Sequence, residues 1–174
     1  MSTCRSFSKR SLVASVHSGS RVSDREIVVS RIVEGPRRLV FEAFTDPRHL
    51  GQWWGPNGFT TTTRAFEFRR GGVWDFTMHA PNGADLPNWI EWREIVPPER
   101  IVYLHGVHDD DPRAFTSTVT LVEQGPATEV TMRAVFKSKE QCDEVIEQYR
   151  ALEGGTQHLG RLASYIVTLG GGTR

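Results

Sequence analysis

The stretch that decides the predicted fold is Gly71–Val96, GGVWDFTMHAPNGADLPNWIEWREIV. Residues 73–79 alternate apolar and polar side chains, which is the pattern of a β-strand with one buried face. Residues 89–96 predict a second strand. Gly71-Gly72 before the first strand and Pro81-Asn82-Gly83 between the two are typical of turns. Because short turns reverse the chain, the two strands are expected to pair antiparallel.

Similar strands are predicted on both sides of this stretch. From residue 60 onwards, proline- and glycine-containing turns separate them, and no convincing helix lies between them up to residue 136. Such a run of strands indicates an antiparallel meander rather than a parallel sheet with crossover helices. The additional predicted strands are residues 26–33, 60–68, 101–107, 115–122 and 128–136.

Helical patterns lie before and after the meander. Pro36 is expected to begin one short helix, and Asp46-Pro47 a second, which Gly55-Pro56 ends. Residues 139–147 predict another short helix, and residues 148–169 predict a long amphipathic one. This order predicts an α+β helix-grip fold, in which a curved antiparallel β-sheet wraps around a long C-terminal helix and two short helices follow the first strand.

The length of 174 residues indicates one domain, predicted over residues 24–169. Residues 1–23 are predicted to be a flexible Ser/Arg-rich leader, and residues 170–174 a Gly-rich tail. The leader has eight Ser and four basic residues but no acid. This composition is typical of a disordered tail and also of a targeting segment, and an over-long start site would look the same.

The charge balance excludes some function classes. The 21 basic and 21 acidic residues cancel, and because four basic residues lie in the leader, the rest of the chain has a net charge of −4. That sign argues against nucleic-acid binding, and no run of about 18 apolar residues predicts membrane insertion. Cys4 and Cys142 make no disulfide framework, so we expect a cytoplasmic location, with organelle targeting by the leader left open.

An aromatic-lined cleft is predicted between the sheet and the last helix. Alternation places the apolar side chains of the central strands on one face, while their neighbours Asp75, Thr77 and Arg93 are polar. A concavity of aromatic side chains with a few polar groups is typical of a small-molecule pocket, although the same stripes also occur in an ordinary core. The residues predicted to line it are Trp74, Phe76, Met78, Trp92, Tyr103, His158 and Leu162.

No catalytic constellation is evident, and three residues are weak candidates. Glu94 is expected to share a strand face with Trp92, where desolvation would raise its pKa as acid catalysis requires. A carboxylate paired with a nearby arginine is the alternative. His158 would either point a titratable ring into the cleft or lie at a polar helix edge, and Tyr103 is the third candidate.

No metal site or cofactor is expected. His105, His108 and Asp109–Asp111 carry suitable donor atoms, but no established metal-binding spacing is present, and an Asp-rich segment before Pro112 is typical of a solvated turn. Gly71-Gly72 predicts a hairpin turn rather than a phosphate-binding loop, so no nucleotide or redox cofactor is implied.

Four motifs occurring in order resemble a known family. They are FEAFTDP (41–47), WWGP (53–56), RRGGVW (69–74) and EIVPPER (94–100). They look like bacterial members of the START-like (Bet v 1-like, SRPBCC) superfamily, in the branch named after the activator of the heat-shock protein 90 ATPase. The resemblance covers about residues 25–169. Arg70 stands where the family usually has proline, and Gly155 stands where a large aromatic is common, which would enlarge the cleft or loosen the helix start.

The resemblance implies the helix-grip fold and leaves three function classes open. The superfamily includes carriers of hydrophobic ligands, polyketide cyclases, proteins that sequester reactive natural products, and co-chaperones, and the fold does not choose among them. Our first hypothesis is non-catalytic binding of a small hydrophobic ligand, aromatic or lipid-like. The second is a chaperone-interacting module similar to the heat-shock protein 90 ATPase activator, with a homodimer partner also considered. The third is a cyclase- or hydrolase-type enzyme.

Overall fold

Eight antiparallel strands form one curved sheet in the computed structural model, which describes residues 18–171. The order across the sheet is β1-β2-β8-β7-β6-β5-β4-β3, so β1 and β3 are its edges. The strands are β1 (Ser18–Ser23), β2 (Glu26–Val33), β3 (Thr60–Phe66), β4 (Val73–His79), β5 (Asp85–Val96), β6 (Arg100–Gly106), β7 (Phe115–Gln124) and β8 (Ala127–Val135).

In the described part of the chain, four helices complete the fold: α1 (Arg37–Glu42), α2 (Pro47–Trp53), α3 (Lys139–Glu147) and α4 (Ala151–Gly170). The predicted α+β helix-grip fold is confirmed, with two short helices before the meander and one long helix after it. None of the helices within residues 18–171 has both the length and the apolarity to cross a lipid bilayer.

The start of α2 shows why these residues form a helix. The Asp46 carboxylate accepts a hydrogen bond from the Arg48 backbone N–H at 2.7 Å, and Pro47 occupies the first helical position, where no N–H is required. The Arg48 side chain also donates to this carboxylate and lowers the pKa of Asp46 to about 2. At α1, by contrast, Pro36 is the N-cap and Arg37 begins the helix.

The folded region begins earlier than predicted, at Ser18 rather than Asp24. Residues 18–23 pair with β2 as an edge strand, and the Arg21 side chain donates hydrogen bonds to the backbone oxygens of Ser23 and Asp24. A serine-rich segment buries little apolar surface, but at a sheet edge its backbone can still pair with a neighbouring strand. The rest of the predicted leader lies outside the described residues. In the predicted tail, Gly170 is the last residue of α4, and residues 172–174 are likewise not described.

The main core lies between the concave face of the sheet and the helices. Leu159, Leu162 and Ile166, on the apolar face of the amphipathic helix α4, are fully buried there. The N-terminal part of α4 lies directly on β1 and β2, since a Cβ added to Gly155 would be 2.7 Å from Val29 Cγ2. Gly155 therefore permits close helix–strand contact and does not enlarge a cleft.

Candidate functional site

The concave face of β4, β5 and β6 carries the predicted aromatic residues. Trp74 and Phe76 of β4 are buried, while Asp75 between them faces the other way and pairs with Arg64, with N–O distances of 2.7 and 2.8 Å. Antiparallel register places Trp92 of β5 opposite Tyr103 of β6, and both are buried on the same concave face. The alternation read from the sequence thus assigns these four side chains correctly to the inner face.

These side chains form one continuous group with residues from α2 and α4, which we call the aromatic cluster. Trp74 and Phe76 stack with ring centroids 3.7 Å apart, and Trp92 meets Tyr103 edge-on at 5.7 Å. Trp54 connects the strands to the helix, because its ring is 4.9 Å from Trp74 and 4.6 Å from His158. The members of the cluster are Trp53, Trp54, Trp74, Phe76, Trp92, Tyr103 and His158.

Trp54 is the central member that sequence reasoning missed. It follows the last residue of α2, so the helical pattern did not indicate its direction. The WWGP motif held the signal, since two adjacent tryptophans before a glycine turn are too apolar to remain in solvent. Both are buried in the structure.

His158 lies at the junction of the cluster and α4. Its Nδ1 accepts a hydrogen bond from the Gly55 backbone N–H at 2.9 Å, and its ring packs against Trp53 and Trp54. Burial, with a smaller contribution from the Arg161 charge, lowers the pKa of His158 to about 3. The ring is therefore neutral at pH 7. Its Nε2 is buried and has no hydrogen-bond partner within the described residues.

Further polar groups lie beside it, with Tyr103 buried and His105 partly buried. Burial raises the pKa of the Tyr103 hydroxyl. His105 Nε2 lies 2.9 Å from Asn88 Oδ1, and burial lowers the pKa of this histidine to about 4. Trp92 Nε1 is buried without a partner in the described part of the chain. The site therefore combines a large aromatic surface with a small number of polar atoms.

Arg161, one turn beyond His158, attaches α4 to the end of α2. Its Nη1 donates to the carbonyl oxygens of Trp54, Gly55 and Pro56 at 3.0–3.2 Å. These carbonyls follow a helix C-terminus, where a guanidinium is favourable because oxygens there have no intrahelical partner. His158 and Arg161 thus hold the segment Trp54–Pro56 against α4.

Not all predicted site residues meet here. Met78 is half-buried, and its Sδ lies near Gly55 at the rim of the cluster. Glu94 was expected to share a face with Trp92, but a β-bulge between them shifts the register, so that Trp92 opposes inward-facing Tyr103 whereas Glu94 opposes outward-facing Val102. Glu94 instead pairs with Arg100 at the surface, and its side chain is 43% exposed. The structure does not bring this carboxylate into the aromatic cluster.

Two of the depressions on the surface of the described residues are the best formed, and neither is lined by any of the seven predicted residues. One, of about 530 Å³, lies beside Glu94, and the other, of about 400 Å³, lies beside Arg161 and Tyr165. Six of the seven predicted residues, Leu162 among them, are instead buried against their neighbours, and Met78 is half-buried. Because a protein interior is packed about as densely as an organic crystal, a small molecule can enter this region only if side chains move.

The segment with the candidate metal ligands, residues 105–111, runs from the end of β6 into a loop that hydrogen bonds to Asp111 hold in place. Asp111 accepts hydrogen bonds from the backbone N–H groups of Val107 and Arg113, while His105 is turned toward Asn88. Within residues 18–171 no three His, Cys, Asp or Glu side chains converge as a metal site would require.

Comparison with known proteins relates this geometry to a family. Residues 34–167 match the family described as Activator of Hsp90 ATPase homolog 1-like protein. A solved structure from Arthrobacter aurescens is 23% identical, with a TM-score of 0.80 over 88% of this chain and 92% of that one. A Nitrosomonas europaea protein is 20% identical, with a TM-score of 0.77 over 86% and 98%.

A Chromobacterium violaceum protein is 25% identical, with a TM-score of 0.69 over 83% of this chain and 98% of that one. No curated protein matches the chain. These structures share the arrangement of curved sheet and long terminal helix, and the likeness shows the fold.

Proposed function

Because this chain belongs to the family of Activator of Hsp90 ATPase homolog 1-like proteins, we propose that it binds a small hydrophobic molecule between the sheet and α4. The molecule is aromatic or lipid-like. The residues that would contact it are those of the aromatic cluster, together with Met78 and Leu162. We propose binding without a catalytic step, because Glu94, the carboxylate on which an enzyme mechanism would depend, pairs with Arg100 at the surface.

The observation that carries this proposal is the presence of polar groups inside an aromatic interior. A purely structural core favours apolar side chains, since each buried polar group must find a hydrogen-bond partner to offset its lost hydration. Here His158, Tyr103 and the Trp92 N–H are buried within one region beside the partly buried His105, and two of the polar atoms of these groups have no partner among the described residues. An apolar lining with a few directed polar groups is typical of ligand sites.

Entry of a ligand requires movement, and α4 is suited to it. Gly154 and Gly160 have no close neighbour that requires a glycine, since an added Cβ would be 3.5 Å from Pro56 Cγ and 3.7 Å from Arg31 Nη1, respectively. Each glycine makes the helix less stable by about 1 kcal/mol relative to alanine. The free-energy cost of local opening is therefore lower in the N-terminal half of α4 than in a glycine-free helix. Opening there would release the segment Trp54–Pro56.

Titration with N-phenyl-1-naphthylamine, an apolar fluorescent probe, tests the proposal. We expect binding near one molecule per chain, with quenching of tryptophan emission, because Trp54, Trp74 and Trp92 lie within the site. Leu162→Phe adds bulk inside and should weaken binding at least about fivefold, if one overpacking contact costs about 1 kcal/mol. Val167→Phe adds the same bulk on the exposed face of α4 and should leave affinity unchanged. Equal binding to both variants, or no binding to the wild type, would overturn the proposal.

A second candidate function is interaction with a chaperone. Close packing of the aromatic cluster favours it, because a filled interior leaves the outer surface as the place of recognition, and the family description refers to activation of the Hsp90 ATPase. The test is the ATP hydrolysis rate of a purified heat-shock protein 90 with an equimolar amount of this protein. A stimulated rate together with absent probe binding would favour this function over ligand binding.

A further inference from the structure

Two side-chain nitrogens of the aromatic cluster have no hydrogen-bond partner in the part of the chain that the structure describes. They are His158 Nε2 and Trp92 Nε1, each buried and without a partner among residues 18–171. His158 is 8% exposed and Trp92 is 1% exposed. Buried polar atoms are nearly always paired with protein or with another molecule, so an unpaired one indicates a missing partner.

The hydrogen-bond geometry determines which nitrogen of His158 carries the proton. The Gly55 backbone N–H can only donate, so Nδ1 must accept with its lone pair. Because burial keeps the ring neutral at pH 7, the single ring proton is then on Nε2. His158 therefore presents a donor, and the missing partner is an acceptor.

Trp92 leads independently to the same chemistry. An indole nitrogen is a donor only, and no tautomer or rotation can make it accept. The Trp92 ring contacts Tyr103, which through Trp54 belongs to the same cluster as His158. Both unpartnered atoms therefore require acceptors, and neither would be satisfied by a ligand that offers only donors.

The charges nearby indicate that the acceptor is neutral. A carboxylate bound at His158 would need a cationic partner, but His158 is neutral, and Arg161, whose charge acts on His158, already donates to the carbonyl oxygens of Trp54, Gly55 and Pro56. Arg31, whose Nε is also buried without a partner among the described residues, lies beside Gly160, and its charge does not contribute to the lowered pKa of His158. A ketone, ester, ether or ring nitrogen needs no counter-charge.

We propose that the ligand is an aromatic or otherwise apolar molecule carrying a neutral hydrogen-bond acceptor, and that the Nε2–H of His158 is the group that recognises this acceptor. This inference rests on the proposed function, since it names the chemistry of a ligand bound in that site. It assigns His158 a role in specificity: Nδ1 holds the ring in place through Gly55, and Nε2 selects the ligand.

The test compares two probes of nearly equal shape, 2-acetylnaphthalene and 2-isopropylnaphthalene, which differ in the carbonyl. Affinities are measured by quenching of tryptophan emission. Supplying an acceptor to a buried unpaired donor should favour the ketone about tenfold. In His158→Phe, which keeps an apolar ring but lacks both nitrogens, the two affinities should become equal through loss of ketone binding alone.

A spectroscopic measurement keeps the test valid if His158→Phe does not fold. In ¹⁵N-labelled wild-type protein, the ketone should shift the Nε2 resonance of His158, whereas the hydrocarbon should leave it nearly unchanged. The Trp92 indole N–H resonance, assigned with Trp92→Phe, reports whether the second donor also takes part.

The outcomes separate the two proposals. Binding of both probes with equal affinity, with the His158 resonance unmoved by the ketone, would overturn this inference and leave the ligand site intact, with ordered water as the partner of Nε2. Failure of both probes to bind would instead count against the proposed function itself.

Discussion

Two apolar clusters within residues 18–171 differ in whether their buried polar atoms have hydrogen-bond partners. The smaller one, beneath α3, consists of Ile27, Phe136 and Cys142 with partly buried apolar neighbours, and none of its described side chains has an unpaired buried nitrogen or oxygen. The aromatic cluster beneath α4 contains two such atoms, and burial lowers the pKa values of its member His158 and of the neighbouring His105. Both clusters stabilise the same sheet. Only the second includes groups that stability alone does not require, and this difference is the physical basis of the proposed site.

The largest expected effect comes from removing Trp53, which supports the aromatic cluster from α2. Its ring is fully buried against Phe44 and His158, and its Nε1 donates to the Ala43 carbonyl at 3.1 Å. Trp53→Ala should lower the free energy of unfolding by about 3–5 kcal/mol, measured by denaturant unfolding. Tyr149→Ala, at an exposed position, is the control and should change it by less than about 0.5 kcal/mol. Similar values for the two variants would contradict the assignment of Trp53 to the core.

The pH dependence of stability should reveal His158 of the aromatic cluster and the neighbouring His105. Burial lowers the pKa of His158 to about 3 and that of His105 to about 4, from an ordinary value of 6.5. Between these values the unfolded state binds more protons than the folded state, so stability falls as pH decreases. From pH 7 to pH 5 the loss should be about 2 kcal/mol for each histidine.

His158→Phe isolates one of these contributions. The variant should lose about half of the histidine-linked pH dependence in unfolding experiments at pH 5 and pH 7, because His105 remains. A wild-type profile in this variant would mean that folding does not lower the pKa of His158, which would contradict the burial of a neutral ring at this position.

Two neighbouring glycines of α4 provide a matched pair for the contact between this helix and the sheet. A Cβ at Gly155 would be 2.7 Å from Val29 Cγ2, whereas one at Gly154 would meet only Pro56 Cγ, at 3.5 Å. Gly155→Ala should therefore destabilise the protein by about 1–2 kcal/mol through overpacking. Gly154→Ala should stabilise it by up to about 1 kcal/mol through helix propensity. Thermal unfolding measures both, and equal effects would show that α4 does not rest on β2 as described.

The smallest effect is expected at Glu94, on the outer side of the sheet. Because its pairing with Arg100 is solvent-exposed, Glu94→Gln should change the free energy of unfolding by less than about 0.5 kcal/mol. Binding of N-phenyl-1-naphthylamine should also be unaffected. A large loss of binding in this variant would place the ligand at the depression beside Glu94 rather than in the aromatic cluster.

Much of the architecture was predictable from local patterns. Alternation in residues 73–79 assigned Trp74 and Phe76 to the inner face, and the Asp46-Pro47 pair identified the start of α2, because both signals depend on residues adjacent in sequence. The edge strand β1 was not predictable in this way. Its serines show little strand preference, and pairing with β2 stabilises them.

The amino-acid sequence by itself determined the fold class, the order of the elements and the inward direction of the strand aromatics, since these follow from hydrophobic periodicity and turn residues. Only the tertiary structure decided which polar atoms have partners. The bulge that turns Glu94 outward depends on pairing with β6, and the proton on His158 Nε2 depends on the Gly55 N–H, 103 residues away. Hydrogen bonds between distant residues leave no periodic signal in the sequence, so the features that distinguish a ligand site from an ordinary core became visible only in the folded chain.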